Sequence, residues 1–271
     1  MEKAVSNYPE CGYLVIENVL SEQEIEEIFE EARQVCLGHR GDIAGIDALD
    51  GLEESEALKH IIAIHFPHKL SARLEAMLHQ PKIVEALTQV IGPNVKCMQS
   101  MFFVKHAGRP GQAWHQDEAF IPTTDRSLTG VWIALDKATI ENGCLWVIPG
   151  SHQAGEIWPF REHEDPRFDP SPESHGFPWT DEDAVPVELE PGSALLFNGY
   201  LLHRSLNNVC KEGFRRAYVN HYMSAESPLC WTGGTLNEPV DDYRDIVMIA
   251  GGDPRAAAGV EDISAPYLRP E

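Results

Sequence analysis

The chain has 271 residues, 43% of them hydrophobic and 24% charged, so it is long enough to bury one substantial core. Its formal net charge of -22 is unusual for a globular protein. A surface this acidic repels the phosphates of nucleic acids and the headgroups of anionic lipids, so neither is expected as a general partner.

The first third of the chain is predicted to be mostly helical. After a short strand within residues 12–20, Ser21 and Glu24 fit a capping box, in which each side chain satisfies a free backbone amide of the first helical turn. Apolar residues then recur at helical spacing. A second helix is expected over about 71–78, and a third begins at Pro81, because proline suits a first helical position.

The middle of the chain changes to short apolar runs separated by Gly, Pro, Asn and Asp. Several short strands at such spacing are typical of a sandwich or barrel. Residues 151–185 interrupt them without clear periodicity, and a segment of this length is often functional. The predicted strands are 95–106, 128–138, 144–150, 185–190, 193–198 and 215–224.

One domain spanning 1–271 is the simplest organisation. It would consist of a helical part over about 1–93, a β core over about 94–225 and a polar C-terminal extension over 226–271. No run approaches the roughly 18 apolar residues that a membrane-spanning helix needs, and no secretory signal is visible. The six cysteines are scattered and form no CxxC pair, which favours free thiols in a reducing compartment. We therefore expect a cytoplasmic protein with no membrane segment.

The segment WHQD, residues 114–117, carries a candidate metal site. Alternate side chains of an extended segment point to the same side, so His115 and Asp117 would face one way. An imidazole nitrogen and a carboxylate oxygen are good ligands for a divalent first-row metal. His203, which follows an apolar strand, supplies a third ligand. Two histidines and one carboxylate that leave positions open form the facial triad of non-haem iron(II) oxygenases.

A basic residue is expected near such a metal if 2-oxoglutarate is the co-substrate. This molecule chelates the metal through its 1-carboxylate and 2-oxo group, and its 5-carboxylate then needs a cation. A guanidinium group matches a carboxylate with two hydrogen bonds. Arg215 and Arg216 open a predicted strand downstream of His203 and would face opposite sides. The pattern alone leaves open which arginine points inward.

Four stretches, CMQSMFFVK, GQAWHQDEAF, LTGVWIALDKATIENGCLWVIPGSH and LLHRSLNNVCKEGFRRA, resemble the phytanoyl-CoA dioxygenase family of iron(II)/2-oxoglutarate oxygenases. The resemblance covers most of the chain. It places the metal motif of the family on His115, Asp117 and His203. The 2-oxoglutarate arginine of the family, which lies in a GFR segment, falls on Arg215. The further co-substrate residues that the resemblance implies are Ser205, Trp132, Met101 and Lys59.

This resemblance also implies a fold and an activity. The fold would be mainly β (α+β), with a double-stranded β-helix, or jelly roll, as core and the N-terminal helices packed outside. The enzyme would use iron(II), 2-oxoglutarate and molecular oxygen, hydroxylate a small organic substrate, and release succinate and carbon dioxide. Related halogenases lack the carboxylate that Asp117 provides, so its presence favours hydroxylation.

The substrate is not identified by these motifs. Arg126 and Arg161 would suit an anionic substrate such as a carboxylate, a phosphonate or an acyl-CoA. Other candidate pocket residues are Gln112, Trp114, Phe120, Trp146 and Trp158.

Two alternatives from other classes stay open at this point. One is a cupin-like metal enzyme that does not use 2-oxoglutarate, which would need no arginine in its pocket. The other is a non-catalytic binding protein on the same barrel, which would be expected to have lost a metal ligand. This chain retains all three, which favours the oxygenase.

Overall fold

A computed structural model describes residues 2–49, 51–233 and 238–270 of the chain. The α-helices in this part of the chain lie mostly before the β core: α1 (Glu2–Cys11), α2 (Glu22–Cys36), α3 (Glu54–Ala57), α4 (Ala72–Ala76) and α5 (Pro81–Val90). The strands are β1 (Tyr13–Ile16), β2 (Ile61–His65), β3 (Val95–His106), β4 (Gln112–His115), β5 (Thr129–Ala134), β6 (Leu145–Val147), β7 (Phe160–Arg161), β8 (Glu173–Ser174), β9 (Val185–Val187), β10 (Ala194–Asn198), β11 (His203–Ser205), β12 (Phe214–Ser224), β13 (Val247–Ala250) and β14 (Tyr267–Pro270).

The strands form two antiparallel sheets and a short hairpin. The large sheet has the order β1-β10-β5-β12-β3-β2-β14, and β13 also pairs with β3. The small sheet has the order β4-β11-β6-β9, while β7 pairs with β8 alone. Side chains from the large and small sheets line one cavity between them. This is the jelly-roll arrangement, and the predicted mainly β (α+β) fold with a double-stranded β-helix core is confirmed.

The helix α2 begins where the sequence predicts it. Ser21 is its N-cap, and the Ser21 Oγ accepts a hydrogen bond of 3.3 Å from the backbone amide of Glu24. In return the Glu24 carboxylate accepts one of 2.8 Å from the Ser21 amide. Both halves of the capping box are therefore present, and they satisfy amides that would otherwise lack a partner. The buried face of the helix is formed by Ile25, Ile28, Ala32, Val35 and Cys36.

The helices cover the outer face of the large sheet, as predicted. Apolar residues of α2, α4 and α5 belong to one core cluster with outward-facing residues of β3, β5 and β12. Two buried tyrosines of β12 connect the large sheet to the helical layer by hydrogen bonds. The hydroxyl of Tyr218 donates to the carbonyl of Leu74 at 3.0 Å, and that of Tyr222 donates to the carbonyl of Leu78 at 3.1 Å. Each buried hydroxyl thus has the partner that burial requires.

The inner face of the large sheet carries a row of aligned side chains across five strands. The register places Tyr267 opposite His65, and His65 opposite Met101. Met101 in turn lies opposite Val219, and Val219 opposite Trp132. Because side chains alternate along a strand, residues two or four positions away share this face. The inner face therefore forms one wall of the cavity.

Three strands of the large sheet, β2, β13 and β14, are absent from the predicted set. β2 is a short apolar run, and the other two lie in the polar extension over 226–271, where periodicity gives little signal. β13 pairs with β3 and β14 pairs with β2, so this extension returns to the core sheet. The one-domain organisation stays a prediction. Among the described helices, none has both the length and the apolar composition needed to cross a membrane.

Replacing Ser21 with Ala is expected to lower the free energy of unfolding by about 1 kcal/mol, because the N-cap acceptor is lost. Ser21→Asp keeps a side-chain oxygen at the same position and is expected to retain most of that stability. Urea denaturation of the three proteins measures the difference. Equal losses in both variants would contradict a capping role for Ser21.

Candidate active site

The three predicted metal ligands come together between the sheets. His115 ends β4, Asp117 opens a short 3-10 turn, and His203 opens β11. β4 and β11 pair antiparallel, and their register sets His203 opposite His115. One ligand atom from each of the three residues lies within 4.8 Å of the other two. The Asp117 Oδ1 is 3.8 Å from the His115 Nε2 and 3.5 Å from the His203 Nε2.

Backbone carbonyls orient both imidazoles. The Nδ1 of His115 lies 2.8 Å from the carbonyl oxygen of Ala113, and the Nδ1 of His203 lies 3.0 Å from that of Leu201. A carbonyl oxygen only accepts, so each Nδ1 carries the proton and each Nε2 presents a lone pair. Burial, with a smaller contribution from His203, lowers the pKa of His115 to about 4. The residue is therefore in the neutral form that metal coordination needs.

A histidine outside the triad holds the carboxylate of Asp117. The Oδ2 accepts a hydrogen bond of 2.9 Å from the Nε2 of His221, a buried residue of β12. Burial by itself would raise the pKa of Asp117, but His203 and His221 outweigh it and keep this pKa below its usual range. Asp117 is thus ionised, with Oδ2 engaged and Oδ1 directed at the histidine pair. His221 is absent from the predicted site, although counting in twos from Arg215 places it on the inner face.

A cavity of about 470 Å³ extends from this triad. Arg215 lies in it with 5% of its surface exposed, and its guanidinium stands 5.2 Å from the ring centre of Trp132. The buried Nε of Arg215 has no hydrogen-bond partner among the described residues. Burial lowers its pKa to about 10, so it stays a cation at neutral pH. Arg216 points the other way and forms an ion pair of 2.7 Å with Asp136.

A buried lysine, not identified from the sequence, lies beside Arg215. Lys105 is opposite Arg215 in the β3–β12 register. Its Nζ donates to the Ser205 Oγ at 2.8 Å and to the carbonyl of Leu206 at 2.6 Å. Burial, together with the nearby Arg215, puts the pKa of Lys105 well below its usual range. Alternation from Met101 along β3 would have placed Lys105 on the inner face.

The remaining predicted co-substrate residues divide into two groups. Met101, Trp132 and Ser205 line the cavity. Lys59 does not, because its side chain is exposed and its ammonium pairs with Glu56 at 2.7 Å. The structure does not bring Lys59 to this site, and the lysine that lines the cavity is Lys105.

Some of the candidate substrate residues line the cavity and others lie outside it. Gln112 and Phe120 line the cavity, whereas Arg126 and Arg161 do not. Arg161 is an exposed residue of the β7–β8 hairpin and pairs with Glu173, and Arg126 stands over the ring of Tyr200. The tryptophans form a separate aromatic cluster, with members Trp114, Trp146, Trp158, Phe177 and Trp179.

Comparison with known proteins finds dioxygenases among the sequence relatives and an alpha ketoglutarate complex among the similar structures. The chain is 29% identical to a phytanoyl-CoA dioxygenase of Arabidopsis thaliana, with 79% of this chain and 86% of the relative covered. It is 30% identical to a probable alpha-ketoglutarate-dependent hypophosphite dioxygenase of Stutzerimonas stutzeri, with 59% and 56% covered. The crystal structure of the epimerase SnoN in complex with Fe3+, alpha ketoglutarate and nogalamycin RO shares the fold, with a TM-score of 0.64, 19% identity, and 98% and 97% of the chains covered.

The jelly roll, the triad and these relatives define an iron(II)- and 2-oxoglutarate-dependent dioxygenase. The sequence profile described as Phytanoyl-CoA dioxygenase (PhyH) matches residues 8–217. That range is most of the chain, and the chain belongs to this family. Two imidazole nitrogens and one carboxylate oxygen on one face are a donor set that suits iron(II).

The buried histidines predict a pH dependence of stability. Burial lowers the pKa of His65 to about 3 and those of His68 and His115 to about 4, from 6.5. The unfolded chain therefore binds more protons below pH 6.5, and the metal-free protein is expected to lose stability as the pH falls from 7 towards 4. Each histidine contributes roughly 3 to 5 kcal/mol at most, since one pKa unit corresponds to about 1.4 kcal/mol. Urea denaturation at pH 7, 6 and 5 checks this, and an unfolding free energy that stays level would contradict it.

His221→Phe is expected to weaken iron(II) binding by about tenfold to hundredfold, because Asp117 loses the partner that orients its carboxylate. His221→Gln keeps a hydrogen-bond donor and is expected to fall between this variant and the wild type. Anaerobic metal titration measures the affinities. If His221→Phe binds iron(II) as tightly as the wild type, the orienting role is wrong.

Proposed function

We propose that this enzyme hydroxylates a small organic substrate, with His115, Asp117 and His203 holding the iron(II). The observation that carries the proposal is the convergence of their three ligand atoms within 4.8 Å. When bound, iron(II) and 2-oxoglutarate supply the oxidising chemistry, and the protein supplies position and environment. Asp117 occupies the carboxylate position of the triad, which supports hydroxylation as the outcome.

The anchor for the 5-carboxylate of 2-oxoglutarate is proposed to be Arg215, with Lys105 and Ser205 beside it. The partnerless Nε of Arg215 supports this assignment, because a buried cation without a partner carries a large desolvation cost that a carboxylate would offset. The Ser205 hydroxyl, which accepts from Lys105, has its own proton available for the same carboxylate. Met101 and Trp132 would form the apolar wall along the co-substrate.

The cavity also separates the reacting atoms from bulk water. Apolar side chains such as Val219, Leu145 and Phe197 line it around the triad. In such surroundings charged groups attract each other more strongly than in water, and reactive species are protected from side reactions. His221 keeps Asp117 in a single orientation, so the metal would keep its open positions on the cavity side.

The two alternative functions fit the site less well. A metal enzyme that does not use 2-oxoglutarate would have no use for a guanidinium buried 5.2 Å from Trp132 inside the metal cavity. A binding protein would have no use for a complete triad whose histidines are already in the tautomer that metal coordination requires. A cytoplasmic location stays a prediction, and the six free cysteines are compatible with it.

Arg215→Met is expected to weaken 2-oxoglutarate binding by at least about 30-fold, because a buried charge pair is lost. Arg216→Met is the matched control, since Arg216 neighbours Arg215 but faces Asp136 outside the cavity. Anaerobic titration of the iron(II) protein, followed by the visible charge-transfer band of the 2-oxoglutarate chelate, measures the affinities. Absence of the band in a folded wild type would reject 2-oxoglutarate as co-substrate. Similar losses in both variants would reject the role of Arg215.

Asp117→Ala is expected to abolish succinate release, because the metal loses its carboxylate ligand. Succinate is measured after incubation with iron(II), 2-oxoglutarate and oxygen, with and without a library of metabolites, and circular dichroism confirms the fold. Turnover by Asp117→Ala at the wild-type rate would show that the triad is not the catalytic centre.

A further inference from the structure

We infer that Arg269, on the last strand β14, binds an oxyanion of the substrate, a carboxylate or a phosphate ester, at the side of the cavity away from the co-substrate arginine. This inference rests on the proposed function and extends it to the substrate class. Three features support it: the charge of the cavity, the place of Arg269 in the sheet, and a buried histidine beside it.

The cavity is positively charged inside a strongly acidic protein. The chain as a whole has a net charge of -22. Among the described residues that line the cavity, three arginines outnumber two carboxylates even when the buried Lys105, whose pKa is lowered by burial, is left out of the balance: Arg109, Arg215, Arg269, Asp117 and Asp169. Iron(II) and the 2-oxoglutarate dianion would cancel each other, so the loaded cavity would keep its positive balance. A cavity of this charge attracts an anion.

Arg269 is separated from Arg215 by the width of several strands. It lies opposite Ala63 of β2, Ala63 lies opposite Phe103 of β3, and Phe103 lies opposite Ala217 of β12. Three inter-strand spacings put the backbone of Arg269 roughly 14 Å from the strand that carries Arg215. The two guanidinium groups therefore serve different parts of the cavity, and the carboxylate assigned to Arg215 is not available to Arg269.

Among the residues that the structure describes, the ion-pair partner of Arg269 is Asp169, and this pair is weak. Its Nη2 lies 4.0 Å from the Oδ2 of Asp169, which is beyond hydrogen-bonding distance. The other carboxylate oxygen of Asp169 already accepts from the backbone amide of Ser171 at 3.0 Å. The side chain of Arg269 is 43% exposed and lines the cavity, so a ligand can reach it from solvent.

A buried imidazole lies beside Arg269 on the same wall. His65 is 8% exposed and lines the cavity, and neither of its ring nitrogens has a hydrogen-bond partner within residues 2–49, 51–233 and 238–270. Its ring stacks on that of Tyr267 with the centroids 4.2 Å apart, and Tyr267 is two positions before Arg269 on the same face of β14. Buried polar atoms normally have hydrogen-bond partners. The two ring nitrogens of His65 therefore indicate a ligand that donates or accepts a hydrogen bond at this wall of the cavity. Arg269 and His65 together can bind an oxyanion and a neighbouring polar group.

The family profile ends at residue 217, before β14 begins. Arg269 and Tyr267 therefore lie outside the part of the chain that the profile matches. The family match by itself therefore does not assign Arg269, whereas His65 lies inside the matched range.

The test uses the full chain loaded anaerobically with iron(II) and 2-oxoglutarate, and isothermal calorimetry with four probes of equal chain length. Hexanoate and hexyl phosphate carry oxyanions, hexanol is neutral and hexylamine is cationic. We expect one or both anions to bind while the chelate band persists, which shows that 2-oxoglutarate stays in place. We expect hexanol and hexylamine to bind at least tenfold more weakly. Whichever anion binds more tightly identifies the substrate group as carboxylate or phosphoryl.

The variants locate the binding site. Arg269→Met is expected to weaken binding of the anion by about tenfold to hundredfold, and Arg269→Lys by less. Arg161→Met is the matched control, because Arg161 is an exposed arginine outside the cavity, and it is expected to have no effect. Asp169→Asn is expected to tighten anion binding severalfold, because it removes a nearby negative charge. If Arg269 only holds β14 through Asp169, Asp169→Asn and Arg269→Met will both lower the unfolding free energy and neither will change anion affinity.

Several results would overturn the inference. They are failure of both anions to bind, equal binding of all four probes, displacement of 2-oxoglutarate by the anions, and unchanged affinity in Arg269→Met. A wild type that shows no chelate band would instead reject the proposed function. In that case calorimetry of the metal-free chain still tests whether Arg269 binds an oxyanion.

Discussion

The pairing of β11 with β4 is the constraint on which the candidate metal centre depends. It sets His203 opposite His115, and the chain directly after β4 brings Asp117 to the same point. A slip of one residue would turn His203 to the other face of the small sheet and separate the ligands. The candidate metal centre is therefore specified by strand register, and carbonyls two residues away in the same chain segment orient the imidazoles.

The alternation of side chains along a strand also determines where charged residues lie on the large sheet. Along β12, Arg215, Val219 and His221 line the cavity, so the buried guanidinium and the histidine that binds Asp117 lie on one strand. The intervening positions face the helices, where Tyr218 and Tyr222 anchor the outer layer. One alternating pattern thus builds the active site on one face and the protein core on the other. Burial of cations on the inner face is costly, and bound anions would offset that cost.

Much of this arrangement could be predicted from the sequence, because the signals are local. The capping box of α2 and the long strand β3 can each be predicted from residues that are close together in the sequence. Asp117 and His115 follow from alternation over three residues, and the resemblance to the family selects Arg215 over Arg216. Alternation from Arg215 and from Met101 places His221 and Lys105 on the inner face, but their contacts with Asp117 and Ser205 depend on how distant strands pair. The strands β2 and β14 are short, and their place at the side of the sheet depends on contacts distant in sequence. Arg269 therefore could not be assigned to the cavity without the fold.

The position of β14 at the end of the large sheet also bears on aggregation. An unpaired edge strand can recruit a strand from another molecule. Here β14 has only four residues, ends at Pro270, which has no amide to donate, and is bridged on the outside by Ala44. Gly45 allows this close approach, since a Cβ at that position would come within 2.8 Å of the carbonyl oxygen of Leu268. The strand that brings Arg269 to the cavity thus also protects this edge of the sheet from pairing with a strand of another molecule.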